Sequence, residues 1–266
     1  MITNIVKDRS TRLFIILAGF FIANALIAEI IGVKIFSLEA TFGLSPANFS
    51  LLGEGGLSFS LTAGVLLWPV VFIMTDIINE YYGTKGVRFL SFLAVGLIAF
   101  AFIVFFTAIS LPAPGWWLTS GKNVPDLQNA YTAVLGQSNW IIIGSLIAFA
   151  VGQIVDVLVF HRIKRFTGEK KIWLRATGST LVSQFIDSYI VLTVAFYWGA
   201  DWSIQKVLAI GTVNYIYKFT MAVLLTPVIY LVHNLIEKYL GQSLATRMKR
   251  AAMGQEEEPT NIITAG

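Results

Sequence analysis

The sequence contains no cysteine. Disulfide staples and thiolate metal or redox sites are therefore excluded, and the redox compartment is left open. Charge is scarce as well: Asp, Glu, Lys and Arg make up 13% of the 266 residues, where soluble globular chains carry about a quarter. No polar stretch is long enough to fold as a soluble domain of its own, which leaves one transmembrane domain over residues 1–266. Histidine occurs twice, at His161 and His233, and neither has a metal-ligating partner at a suitable spacing. There is no G-x-x-x-x-G-K-[ST] to cradle phosphates and no H-E-x-x-H for a zinc protease. A serine–histidine hydrolase would need a deeper histidine than either of these. An enzyme is not expected, and no metal or cofactor is called for. The net charge of +4 is too small and too unevenly placed to argue for nucleic acid.

What the chain has is apolar length: 56% hydrophobic residues and a mean hydropathy of +0.73. Six runs are long enough to cross a bilayer, about 13–33, 57–81, 89–111, 139–160, 177–198 and 207–235. The fold class expected is all-α, a polytopic integral membrane bundle of six transmembrane helices. Residues 34–56 and 112–138 are polar connections, and the tail 250–266, with Glu256, Glu257 and Glu258, is expected to be disordered. With six spans, the N-terminus, the 82–88 turn, the 161–175 loop and the C-terminus share one side and hold nearly all the loop Lys and Arg. Only Lys34, Lys122 and Lys206 fall opposite. The positive-inside rule then gives N-in, C-in. Small-residue pairs, Gly19/Ala23, Ala28/Gly32 and Gly144-xxx-Ala148-xxx-Gly152, suit close helix approach.

The polar residues inside these runs carry the functional reading. Trp68–Gly83 ends an apolar run on Asp76 and Glu80, four residues apart and so on one helix face, with Pro69 expected to kink the helix two turns earlier. Neutralisation by Lys85 and Arg88 is the structural alternative. Gln153 and Asp156 on span four, and Gln184 and Asp187 on span five, repeat an amide-x-x-carboxylate spacing that puts both groups on one face. Lys218 lies near mid-depth on span six with Asn214 a turn away, and Asp187 is at comparable depth. That pair could be an ion pair locking two helices, or a contact to solute. Asn24 in span one reads either as an interhelical hydrogen bond or as part of the site. His161 and His233 are expected at cytoplasmic helix ends, opposing the helix dipole. Carboxylates, amides, one lysine and aromatics suit a small, planar, purine-like solute rich in hydrogen-bonding groups. Several vitamins would fit equally.

The segments Pro69-x6-Asp76-x3-Glu80-Tyr81-Tyr82-Gly83, Gln153-x2-Asp156-x4-His161-x-Ile163-Lys164 and Leu174-Arg175-x2-Gly178-Ser179-Thr180-x3-Gln184-x2-Asp187-Ser188 resemble the queuosine precursor transporter family, formerly a vitamin uptake family. The resemblance implies a multi-pass protein of the inner, cytoplasmic membrane that imports 7-deazaguanine bases such as 7-cyano-7-deazaguanine for tRNA-modification salvage. Asp76, Glu80, Gln153, Asp156, Gln184, Asp187, Asn214, Lys218 and Asn24 are then the candidate substrate-binding residues. The alternative class is a substrate-binding membrane subunit of an ATP-driven vitamin importer. The sequence leaves the oligomeric state open, a homo-oligomer included.

Overall fold

The structure is a computed structural model that describes residues 7–167 and 172–254. Most of the acidic tail, and Lys170 and Lys171 of the basic loop, lie outside the described residues. The helices are α1 (Arg9–Ile31), α2 (Leu38–Thr41), α3 (Trp68–Ser110), α4 (Gly115–Leu118), α5 (Leu127–Leu135), α6 (Asn139–Thr167), α7 (Ile172–Leu192), α8 (Ile204–Leu224), α9 (Thr226–Leu240) and α10 (Gln242–Ala252). A π-helical turn, Thr193–Trp198, extends α7. Five helical segments among the described residues are long and apolar enough to cross a membrane: Arg9–Ile31, Trp68–Ser110, Leu127–Thr167, Leu174–Trp198 and Ile204–Leu224. The protein is an all-α polytopic membrane protein.

The bundle inverts the usual soluble pattern. Along α1, Leu13, Leu17, Phe21, Ala25 and Ala28 recur at helical spacing and are buried, while Ile15, Ile16, Phe20 and Ile27 point outward. Phe89, Phe92, Phe100 and Ile103 do the same on α3. An apolar belt of this extent is what lipid requires and water penalises. Asp8 starts α1 as its N-cap, its carboxylate accepting from the Thr11 N–H at 2.9 Å.

Helix α3 runs for 43 residues, but Gly83 inside it has non-helical angles, φ 69° and ψ −175°. The break occurs where α10 lies across the chain: a Cβ on Gly83 would sit 3.0 Å from the Ala252 carbonyl oxygen. Pro69 does not kink the helix as the sequence suggested. It stands in the first turn, where a missing N–H costs nothing. The helix also starts later than expected. Residues 57–67 complete the paired strands and a 3-10 turn (Ala63–Leu66), so the apolar run that looked like one span is nearly half non-helical.

Residues 34–56, expected as a loop, and 57–62, expected as the start of a span, contain four short strands: β1 (Ile35–Ser37), β2 (Phe49–Leu51), β3 (Glu54–Leu57) and β4 (Ser60–Thr62). β1 pairs antiparallel with β4, Phe36 opposite Leu61, and β2 with β3 around Leu52-Gly53, both at positive φ. Glu39 ties this cap together, its carboxylate accepting from the N–H groups of Phe59 (2.8 Å) and Ala47 (3.3 Å) and from the Ser37 hydroxyl (3.0 Å).

The two ends of the bundle are distinct. At one end, Arg9 donates to the Tyr239 carbonyl (3.2 Å), Arg12 to the Tyr239 hydroxyl (2.6 Å) and Tyr82 to the Ser10 carbonyl (2.7 Å). At the other, Gln137 donates to the Glu29 carbonyl (2.9 Å) and Ser203 to Glu54 (3.4 Å). Helices α6 and α7 run antiparallel in close contact. A Cβ on Gly144 would meet the Val191 carbonyl at 3.2 Å, and one on Gly152 the Asp187 Cβ at 3.7 Å. The expected pair at Gly19 plays no such part, since nothing approaches it within 4 Å. The last long apolar run is two helices: α8 ends at Leu224, and Pro227 sits in the first turn of α9.

Two outcomes follow. Gly83→Ala should destabilise the protein by about 1–3 kcal/mol through forced positive φ and the Ala252 contact, whereas Gly96→Ala, with nothing near it, should stabilise by about 0.5–1 kcal/mol. Thermal unfolding in detergent checks the opposite signs. The N–H bond from Phe59 first, then those from Glu39's own N–H and from Ala47, hold the Glu39 carboxyl below the usual glutamate range against the opposing effect of burial. Their contribution is therefore complete above that range and is lost as pH falls through the lowered value. Hydrogen exchange at the Phe59 amide should accelerate on acidification in the native protein. In Glu39→Gln it should already be fast at neutral pH.

Candidate functional site

A cleft with about 510 Å³ of empty space, its mouth included, opens between the first half of α3, α7, α8 and the start of α9. Trp68, Phe72 and Tyr217 contribute aromatic surface, and Thr177, Thr180, Asp76, Gln184 and Lys218 contribute the polar groups. Trp68 is fixed from behind by Phe149, with ring centroids 5.4 Å apart. Thr177 is held by a hydroxyl–hydroxyl bond to Thr226 at 3.0 Å, across the break between α8 and α9.

Asp76 and Gln184 are each 2% exposed. Among the described residues, Asp76 Oδ1 and Gln184 Nε2 have no hydrogen-bond partner. A buried polar atom without a partner costs about 1–3 kcal/mol. Here one is an acceptor, the other a donor, and both residues line the same cleft. Lys218 also lines it, and its ammonium is paired with the Asp187 carboxylate from α7. That pair is not sealed: the Lys218 and Asp187 side chains are 17% and 21% exposed.

The other expected residues lie elsewhere. Glu80, fully buried, is not neutralised by Lys85 and Arg88. Its partners are Arg175 at 2.7 Å and Lys164 at 3.0 Å. Gln153 is behind the cleft wall, its Oε1 accepting from Thr75 (3.1 Å) and Ser91 (3.2 Å). Asp156, also fully buried, accepts from Ser183 at 3.3 Å through Oδ1, and its Oδ2 has no partner among the described residues. The repeated amide-x-x-carboxylate spacing therefore marks the α6–α7 crossing, where Asp156 meets Ser183 and Asp187 meets Gly152. Asn214 is half-buried on α8 and is not in the cleft wall. Among the described residues Asn24 makes no interhelical bond; its amide donates to the Phe20 carbonyl of its own helix at 2.8 Å.

The histidines do not cap helix ends. His161 bonds through Nε2 to Asn79 Oδ1 (2.7 Å), and His233 through Nδ1 to the Tyr81 hydroxyl (3.2 Å). Each ties a neighbouring helix to the Asp76–Tyr82 segment. Lys164 and Arg175 were counted from sequence as loop charges, although 1% and 0% exposed. The one signal for them was their place in the motifs Ile163-Lys164 and Leu174-Arg175. The aromatic walls gave no signal, because Trp and Phe are common throughout.

The chain was compared with known proteins. The model of the family described as putative vitamin uptake transporter matches residues 62–232. A Bacillus subtilis (strain 168) protein named probable queuosine precursor transporter is 31% identical over 183 residues, 67% of this chain and 75% of that protein. A Haemophilus influenzae protein of the same name is 26% identical over 92% of this chain and 97% of its own length. The queuosine precursor transporter of Escherichia coli (strain K12) is 26% identical over 63% of this chain and 70% of that protein. No solved structure matches the chain. The matched segment contains every cleft residue and the Glu80–Lys164–Arg175 cluster.

Glu80→Gln should leave two buried cations without their carboxylate and cost about 3–5 kcal/mol. Asp187→Asn, in a partly hydrated pair, should cost clearly less. Thermal unfolding of the purified variants gives the ranking, and equal losses would contradict it. From the motifs, the cleft and these matches, the chain belongs to the queuosine precursor transporter family, earlier described as the putative vitamin uptake transporters.

Proposed function

We propose that this protein imports queuosine precursors, 7-deazaguanine bases such as 7-cyano-7-deazaguanine, across the inner membrane for salvage into tRNA modification. The observation that carries the reading is the pairing of an unsatisfied acceptor, Asp76 Oδ1, with an unsatisfied donor, Gln184 Nε2, in one aromatic-walled cleft. A guanine-like edge complements that pair. Its ring N–H and exocyclic amine donate to a carboxylate, and its carbonyl accepts from an amide. The flat faces of Trp68, Phe72 and Tyr217 offer stacking surface. The names of the three relatives point to the same solute class.

The arrangement proposed is six spans with both termini in the cytoplasm. A 43-residue helix is about 65 Å long at 1.5 Å per residue, roughly twice the hydrocarbon thickness. Counting the halves of α3 on either side of Gly83 as separate spans turns five crossing helices into six. The contacts joining Ser10, Tyr82 and Tyr239 at one end, and Glu29, Gln137, Glu54 and Ser203 at the other, support alternation of spans between two sides. The side rich in Arg9, Arg12, Lys85, Arg88, Arg162 and Arg165 is then cytoplasmic.

The test uses a strain that depends on salvage and lacks its own transporter, supplied with each precursor and this chain, with queuosine in tRNA as the readout. Asp76→Asn and Gln184→Leu should each weaken apparent affinity about 10–100-fold, the worth of a charged or buried hydrogen bond. Asn24→Ala should leave uptake unchanged. Native uptake in the first two would remove the cleft assignment, and no uptake of any precursor would remove the solute assignment.

A further inference from the structure

We propose that the buried carboxyl pair Asp76 and Asp156 carries one proton, and that this proton crosses the membrane with each molecule of solute. The inference rests on the reading above for the identity of the solute, and on charge counting for the proton.

Among the described residues exposed by 2% or less, three are carboxylates, Asp76, Glu80 and Asp156, and two are cations, Lys164 and Arg175. Both cations are bound to Glu80. Even if the surplus positive charge of that cluster is set against one aspartate, the other is left without a counter-charge. The remaining charged and titratable groups around the pair are engaged elsewhere. On α7 and α8, Asp187 and Lys218 pair with each other. His161 on α6 is bonded to Asn79, and His233 on α9 to Tyr81. Lys249 on α10 is paired with Glu237, and Glu29 on α1 accepts from Ser145. Tyr217 on α8 is neutral and lines the cleft. Among the described residues, neither Asp76 nor Asp156 has an ammonium or guanidinium within ion-pair distance.

The hydrogen bonds do not substitute for a cation. Asp156 takes one hydroxyl bond of 3.3 Å from Ser183, with the Ser179 hydroxyl facing it as well, and its second oxygen, like Asp76 Oδ1, takes no bond among the described residues. An isolated buried carboxylate is several kcal/mol uphill, and a proton removes most of that penalty. The two residues are close in the fold. Thr75, next to Asp76, donates to Gln153, which is one turn from Asp156 on α6. Ser183, which donates to Asp156, precedes Gln184 of the cleft. Asp76 reaches the cleft and Asp156 has no exposed surface. The proton therefore enters and leaves through the cleft by way of Asp76, with Asp156 as the inner partner. In the cycle, a proton from the outer solution forms an O–H bond on the pair while the cleft faces outward. That bond breaks, with release of the proton to the cytoplasm, once the cleft faces inward. No other bond changes, and one positive charge moves with each neutral base.

Two measurements on the purified full chain test this. Infrared spectra of the solute-free protein at neutral pH should contain a protonated-carboxyl C=O stretch, present also in Glu29→Gln, a component of which is lost in Asp156→Asn. Its absence from the native protein overturns the proposal. In proteoliposomes with the membrane potential clamped, labelled 7-cyano-7-deazaguanine should accumulate about tenfold per unit of inside-alkaline pH difference, the ratio one-to-one coupling gives. A sodium gradient alone should drive none. Accumulation indifferent to pH, or driven by sodium, overturns the coupling. Failure of the base to enter under any gradient overturns the solute assignment instead, and the infrared result then decides the proton by itself.

Discussion

Glu80, held between Arg175 and Lys164, is the contact on which the rest of the interior depends. It joins α3, α6 and α7 with all three side chains removed from solvent. In a bilayer the apolar faces of helices gain little from meeting one another, because lipid is as apolar as they are. What fixes the helices relative to each other is close packing at small residues and the need to satisfy buried polar groups. The Gly144 and Gly152 contacts between α6 and α7 supply the first, and the Glu80 cluster with the His161–Asn79 and His233–Tyr81 bonds supplies the second. The polar contacts converge on Asn79–Tyr81, immediately before the Gly83 break and one turn after Asp76.

That placement gives the cleft its character. One end of the Asp76–Tyr82 segment is locked by charge, and the other borders empty space with Asp76 Oδ1 unsatisfied. A segment held this firmly can keep an unmet acceptor in place without the helix rearranging to quench it. The same holds on α7, where Arg175 anchors the start of the helix and Gln184, further along it, presents an unmet donor. Proposed solute recognition and proton carriage both draw on this division between saturated and unsaturated polar groups.

Much of this was legible in the sequence, and the reasons for the rest are physical. Apolar run length gave the helical membrane class, and the i, i+4 spacing of Asp76 and Glu80 gave a shared face. Periodicity could not distinguish their fates, because burial among cations and burial against a void look identical along one chain. Lys164 and Arg175 were read as loop charges because each helix extends beyond its apolar run, α6 to Thr167. Residues 57–67 were read as membrane helix because a short hairpin of Leu, Phe, Ser and Thr has the hydropathy of a span. Pro69 was read as a kink because a helix start has no hydropathy signature. Asn24 was a candidate only by being polar in an apolar run, and its bond to Phe20 shows that one helix can satisfy an amide unaided.

The absence of cysteine from the chain allows a direct check on the account's central claim, that the cleft lined by Asp76, Gln184 and Ala222 is the solute's place. Ala222→Cys places a lone thiol in the cleft wall. The account predicts that a small water-soluble thiol reagent labels it in membranes and that 7-cyano-7-deazaguanine slows the labelling in a saturable way. Labelling that proceeds at the same rate with and without the base, in a variant that still takes the base up, would contradict it.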